Sequence, residues 1–181
     1  MTEGGGPELD PGRLRALLDR QEIQDVLTRY CRAADRCDAE LMRSCYHDDA
    51  VDNHGMFDGA ASAFVPYAQE SLRTMICTQH FLTNVAIEVR GDAAVSDAYC
   101  LAFHRMPSRG GGLADHWVGL RFVDRMERRD GRWKIARRTI AYEWSRVDPV
   151  AREWSLAGYV RGARSGDDIS YELLRELGAG R

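Results

Sequence analysis

The spacing of apolar positions changes once along this chain. From Leu14 onward they recur at helical intervals: Leu14, Leu17 and Leu18, then Ile23, Val26, Leu27, Tyr30, Cys31 and Ala34. Steps of three and four place them on one stripe of a long amphipathic helix. Asp10-Pro11 reads as an N-cap followed by proline at the first helical position, and a bend near Arg20 is open. A short helix is expected over Ala39 to Tyr46, a short strand over Ala50 to Phe57, and a third helix over Ala61 to Met75. Pro66 leaves the start of that third helix undecided.

From residue 76 the period falls to two. Residues 76–90 read as a strand with Phe81, Val85, Ile87 and Val89 on one face and His80 on the other. Gly91-Asp92 is a hairpin turn. The next strand, 93–106, carries Ala94, Ser96, Ala98, Cys100, Ala102 and His104 on one face. Its other face holds Val95, Asp97, Tyr99, Leu101 and Phe103. Ser108 to Gly112 is a loop, 116–127 a third strand, Asp130-Gly131 a turn and 132–146 a fourth strand. Helices followed by an antiparallel meander define an α+β fold in which the helices cover one face of a curved sheet. Beyond Asp148-Pro149 the pattern weakens. Trp154, Leu156 and Tyr159 are apolar enough to dock, and 167–177 reads as a terminal helix capped by Asp167 or Asp168.

Composition narrows the class. The 181 residues are 44 % hydrophobic and 29 % charged, enough for one domain with its own core. Net charge is −3, so a nucleic-acid coat is not expected. No apolar run reaches the roughly 18 residues of a membrane span, and the start lacks the basic and apolar regions of a signal peptide. Residues 1–10 are Gly-rich and polar, expected as a disordered arm. Cys31, Cys37, Cys45, Cys77 and Cys100 are odd in number and form no CxxC, so reduced, mostly buried thiols in a cytoplasmic protein are expected.

Three residues carry most of the candidate chemistry. Asp35 continues the buried column of the first helix at its C-terminal end. There both desolvation and the helix dipole disfavour a negative charge. It is either a solvated terminal residue or the partner of a histidine. His80 is either a satisfied strand residue or a general base. His104 lies among small residues that suggest space for a ligand. His80 is eleven residues before the Gly91-Asp92 turn and His104 twelve after it. The two should lie almost opposite each other, with a bulge taking up the difference.

Other features are weaker. His47-Asp48-Asp49 and His54 show no metal-ligand spacing, so no metal is expected, and Asp49 reads as a turn cap. The run Arg125, Arg128, Arg129, Arg132, Lys134, Arg137 and Arg138 is interleaved with acids and reads as a solvated, ion-paired hairpin. Trp117, Trp144 and Phe122 belong to the core or to a subunit interface. No GxGxxG, GxxxxGK[ST] or GxSxG occurs, so no nucleotide cofactor is expected.

A resemblance rests on three segments. They are Gln21-Glu22-Ile23 leading to Tyr30 and Asp35, then Thr78-Gln79-His80-Phe81-Leu82-Thr83-Asn84, then Arg125 to Ile135 through Asp130-Gly131-Arg132-Trp133. Together they resemble the SnoaL-like branch of the nuclear transport factor superfamily over about residues 13–147. The resemblance implies a cone-shaped α+β barrel over 11–147 with a deep apolar pocket. It leaves 148–181 as an extension that covers the pocket or a neighbouring subunit. Dehydratase and dehydrochlorinase members abstract a proton with an Asp–His pair, whose matching positions here are Asp35 and His80. By the same resemblance Tyr30 and His104 assist, and Tyr142, Trp117 and Phe103 contact substrate. Tyr142 stands where the bile-acid dehydratases of the family carry an arginine, and His104 where they carry an acid.

The reading is a cofactor-independent lyase of dehydratase type, acting on a small apolar polycyclic or steroid-like molecule. An isomerase or polyketide-type cyclase with the same base is the enzymatic alternative. A non-catalytic binding domain, like a dioxygenase β-subunit, is the other. A homo-oligomer is expected, a trimer before a dimer, with no nucleic-acid or membrane partner.

Overall fold

The computed structural model describes residues 10–154 and 157–178. The expected arm over 1–10 falls almost wholly outside these residues, as does Leu156. The chain runs α1 (Pro11–Asp35), α2 (Ala39–Ser44), β1 (Tyr46–Asn53), β2 (Asp58–Ala60), α3 (Ala61–Arg73), β3 (Cys77–Arg90), β4 (Ala93–Pro107), β5 (Leu113–Arg129), β6 (Arg132–Pro149) and α4 (Ile169–Glu176). One six-stranded sheet has the order β2-β1-β6-β5-β4-β3. Every pairing is antiparallel except β1 on β6. The result is an α+β fold whose curled sheet is covered on one face by the N-terminal helices. That covered side is the inner face.

α1 is a single unbroken helix. The Asp10 carboxylate accepts from the Gly12 N–H at its start, which satisfies one orphan donor. Ile23, Val26, Leu27, Tyr30, Cys31 and Ala34 are buried along its stripe. Its C-terminus closes with Asp38 N–H donating to the Ala33 carbonyl (2.9 Å) and Cys37 N–H to Ala34 (3.3 Å). This is a Schellman closure. Its left-handed position is held by Cys37, at φ 51°, rather than by glycine. A side chain there costs about 1–2 kcal/mol.

Several expected boundaries shift. α2 stops at Ser44, and Tyr46 already belongs to β1, which ends at Asn53 rather than Phe57. Gly55 turns the chain at φ 77°, so the expected strand becomes β1 and a separate β2. Asp49 is not a turn cap; it lies in β1 and pairs with Arg129 at 2.7 Å. Trp154 and Tyr159 do not dock on their own chain, being 89 % and 73 % exposed.

The larger correction concerns facing. Leu82 pairs with Cys100 but Val85 with Ala98, so Thr83 and Asn84 oppose Tyr99 alone. This bulge reverses the alternation. His80 and Leu82 therefore share the inner face with Val85, Ile87 and Val89, and Phe81 points outward.

Arg138 departs from the solvated hairpin expected of the basic run. It is fully buried and donates through Nε (2.8 Å) and Nη2 (2.6 Å) to both oxygens of Asp124, also fully buried. Its guanidinium stacks over Tyr30 at 4.1 Å and Phe122 at 4.2 Å. Beside it Tyr46 donates to Asp52 (2.5 Å), and Asp52 accepts from His54 (3.0 Å). A bidentate pair sandwiched by aromatic rings offsets much of the desolvation cost, but removing one partner strands the other. Asp124→Ala should cost about 3–5 kcal/mol in urea unfolding. Asp124→Leu combined with Arg138→Met should cost clearly less. A single-variant loss under about 1 kcal/mol would contradict the role given to this pair.

Candidate functional site

Asp35 is the last residue of α1, and the helix end lies against the start of β3. Its carboxylate accepts three hydrogen bonds there. The Thr78 hydroxyl donates to Oδ1 at 2.9 Å, the His80 backbone N–H to Oδ2 at 3.0 Å, and His80 Nδ1 meets Oδ1 at 2.8 Å. Hydrogen bonds to a charged acceptor are worth roughly 1.5–3 kcal/mol each, more than the few tenths to 1 kcal/mol by which a helix C-terminus disfavours an anion. The backbone bond and the ring bond come from one residue, so the carboxylate fixes both the position and the rotation of the imidazole. The side chains of His80 and Asp35 keep 11 % and 16 % exposure. Among the described residues nothing hydrogen-bonds to His80 Nε2.

The sequence places His80 and His104 almost opposite each other with a bulge closing the difference; the bulge at Thr83-Asn84 instead widens the offset to two residues, and the rings still meet. His104 pairs with Thr78, and His80 with Ala102, so the two rings meet diagonally at 5.4 Å. His116, directly across from His104 on β5, extends the line at 6.3 Å. Burial opposes a charged His80, but the hydrogen bond and charge of Asp35 outweigh it and raise the His80 pKa above its ordinary value. Burial, then the neighbouring His80 and His116, push the His104 pKa down to about 4.

Other expected site residues lie elsewhere. Tyr30 is buried against Arg138, Tyr46 and Phe122. Burial pushes its hydroxyl pKa well up, the wrong direction for an acid. Phe103 and Trp117 meet as tilted rings with centroids 4.8 Å apart, but strand alternation puts them on the outer face, away from His80. Trp144 lies on that outer face too. It packs over Gly119, where a Cβ would come within 2.3 Å of the indole nitrogen. Tyr142 pairs with Leu120 on the inner-face side, but at the rim, 65 % exposed and bonded to Ser145. The small residues Ala98, Cys100 and Ala102 are almost fully buried. Buried in this way, they are not the open wall that their size suggests. Apolar contact near the histidines comes instead from half-buried Leu82, Val118 and Leu120.

Residue type and period single out Asp35 and His80 but pass over Thr78 and His116. Thr78 is two residues before His80 on the same strand face, so alternation marks it once the base is chosen. His116 requires the pairing of β4 with β5. His47 bonds the Glu127 carbonyl at 2.9 Å, and His54 bonds Asp52. Both are engaged in the fold. Among the described residues no group of three or more His, Cys, Asp or Glu converges as a metal site.

The two histidines have opposite linkage to stability. A raised folded pKa means that the His80 contribution is complete below its unfolded value near 6.5 and is lost as pH rises through the folded pKa. A depressed folded pKa means that the unfolded chain binds the His104 proton first. Stability is then lost as pH falls from about 6.5 toward about 4. His104→Gln should flatten that acid loss in urea unfolding measured across this window. An unchanged slope would contradict the buried, neutral state of His104.

Comparison with known proteins bears on this arrangement. Residues 15–139 match the family model described as the SnoaL-like domain. Among solved structures, a hexachlorocyclohexane dehydrochlorinase of type 2 superposes with TM-score 0.70 at 20 % identity, covering 81 % of this chain and 99 % of that one. A scytalone dehydratase, so named only provisionally, from Novosphingobium aromaticivorans gives TM-score 0.65 at 19 % identity, over 81 % and 97 %. An NTF2-like protein with a cystatin-like fold from the same organism gives 0.62 at 25 % identity, over 76 % and 92 %. No curated protein matches the chain. Among the described residues no helix is long and apolar enough to cross a membrane. The matched segment takes in most of α1, the three strands that carry His80, His104 and His116 and most of the sheet, and the chain belongs to the SnoaL-like domain family within the nuclear transport factor superfamily.

Proposed function

We propose that this protein is a cofactor-independent lyase that removes a proton and a leaving group from adjacent carbons of a small, mostly apolar, polycyclic or steroid-like molecule. The observation that carries this reading is the Asp35–His80 pair, with Nδ1 fixed by the carboxylate and Nε2 without a described partner. Asp35 holds the tautomer and stabilises the imidazolium that forms, as the acid does in a serine-hydrolase triad. His80 Nε2 takes the proton from carbon, the C–H electrons become the new double bond, and the leaving group departs with its own bonding pair. With a hydroxyl leaving group, the proton leaves with it as water; with a halide, the proton passes to solvent. His104 stays neutral and donates a hydrogen bond to the departing atom. Leu82, Val118 and Leu120 supply apolar contact beside the pair.

The names of two superposed structures support elimination chemistry, since one is called a dehydratase and the other a dehydrochlorinase. The outer-face aromatics Phe103, Trp117 and Trp144 support self-association through the back of the sheet.

A panel of apolar alicyclic alcohols and chlorides, followed by product mass, tests the function. The expected product has lost water or hydrogen chloride. His80→Ala and Asp35→Asn should lower kcat by about 10²–10⁴ while far-UV circular dichroism stays that of the parent. A folded His80→Ala variant with parental turnover would contradict the mechanism. A product of unchanged mass would assign the same base to an isomerase.

A further inference from the structure

The segment after β6 returns to the end of α1. Asp168 caps α4 and pairs with Arg36 at 3.3 Å. Arg32 donates to Ser170 at 3.0 Å, and the Tyr171 hydroxyl to Asp38 at 2.8 Å. These contacts fasten the segment. Arg164 differs from them. Its Nη1 donates to the Met75 carbonyl at 2.6 Å and its Nη2 to the Cys37 sulfur at 3.2 Å. Its Nε is buried with no partner. Among the described residues no carboxylate stands within ion-pair distance of it.

The two anchors are informative. Cys37 lies two residues after Asp35, and Met75 lies three before Thr78 on the way into β3. Arg164 thus bridges the two chain ends that meet at the Asp–His pair. Cys37 also occupies the left-handed position that glycine fills with least strain, and its sulfur is what Arg164 grips. Arg164 is half-buried, and a buried guanidinium nitrogen without a partner is costly, so its placement calls for a use.

We propose that Arg164 is a positioning residue for the Asp35–His80 pair, tying the end of α1 to the start of β3 and placing a cation without a carboxylate partner at that junction. The inference rests on the Asp–His base described under Proposed function. Asp35 favours the imidazolium, and a base already protonated cannot take a proton from carbon. A fixed cation opposes that pull and keeps His80 neutral over a wider range. The groups bearing on His80 are Asp35 from α1, Cys100 and His104 from β4, His116 beyond His104 on β5, and Arg164 from the C-terminal segment. The Arg164 charge bears on His104 as well, in the same downward direction.

The test is an NMR titration of the histidine rings in the full chain, with the His80 resonance assigned by its loss in His80→Asn. Arg164→Gln should move the His80 midpoint to higher pH than in the parent, and Arg164→Lys should bring it back toward the parent. Cys37→Gly removes one anchor, relieves the left-handed strain and keeps the cation. It should raise the midpoint by freeing the guanidinium, and it serves as the second variant if Arg164→Gln does not fold. Equal losses of Tm in Arg164→Gln and Arg164→Lys with an unmoved or lowered His80 midpoint would overturn the proposal, leaving Arg164 as a mere fastening of the tail. The titration needs no substrate, so it stands apart from the activity of His80→Ala, on which the lyase reading depends.

Discussion

A carboxylate at the C-terminal end of a helix is in an unfavourable place, and much of this structure is organised around giving one its partners. Asp35 ends α1, where the helix dipole repels it. β3 begins where it can supply the Thr78 hydroxyl, the His80 backbone N–H and the His80 ring to the two carboxylate oxygens. Each donor satisfies the anion, and together they leave the imidazole with one orientation. The same contacts that lower the cost of burying Asp35 therefore orient the proposed base. Fold and proposed chemistry share one set of hydrogen bonds.

α1 acts as a strut between two fixed points. Near its start, Asp19 accepts from Arg128 (2.8 Å) and from the Trp133 indole (3.0 Å) at the β5–β6 hairpin. At its end Asp35 meets β3. Between them the small side chains of Cys31 and Ala34 are buried in the same core as Ala98, Cys100 and Ala102, and they let the helix lie close to the sheet. The interior beneath Tyr30 is filled by the Arg138–Asp124 pair and its aromatic neighbours rather than left as an apolar hollow.

Much of this is legible in the sequence because it follows from short-range periodicity. The apolar stripe from Ile23 to Ala34 is buried and its phase puts Asp35 on the same column, whereas Leu14, Leu17 and Leu18 of the expected stripe stay exposed. The Gly91-Asp92 turn brings His80 and His104 together. What periodicity does not show is where it breaks. The bulge at Thr83-Asn84 carries no glycine or proline signal, yet it decides that Val85, Ile87 and His80 share one face. Phe103 and Trp117 look like pocket residues by type, but alternation from His104 and His116 sends them outward. Arg138 looks like one more surface cation, and only the pairing of Asp124 with Arg138 across β5 and β6 reveals a buried ion pair. Arg164 gives no local signal at all, because its role comes from a tail that folds back on the end of α1.

The central claim is that Asp35 holds His80 with its proton on Nδ1 and a free electron pair on Nε2, ready to accept a proton from carbon. The ¹⁵N chemical shifts of the His80 ring above its pKa read that state directly. A protonated Nδ1 with an unprotonated Nε2, reverting toward the ordinary tautomer mixture in Asp35→Asn, is the expected result. A His80 ring protonated on Nε2 and bare at Nδ1 would contradict the account, because the nitrogen facing substrate would then have no lone pair to offer.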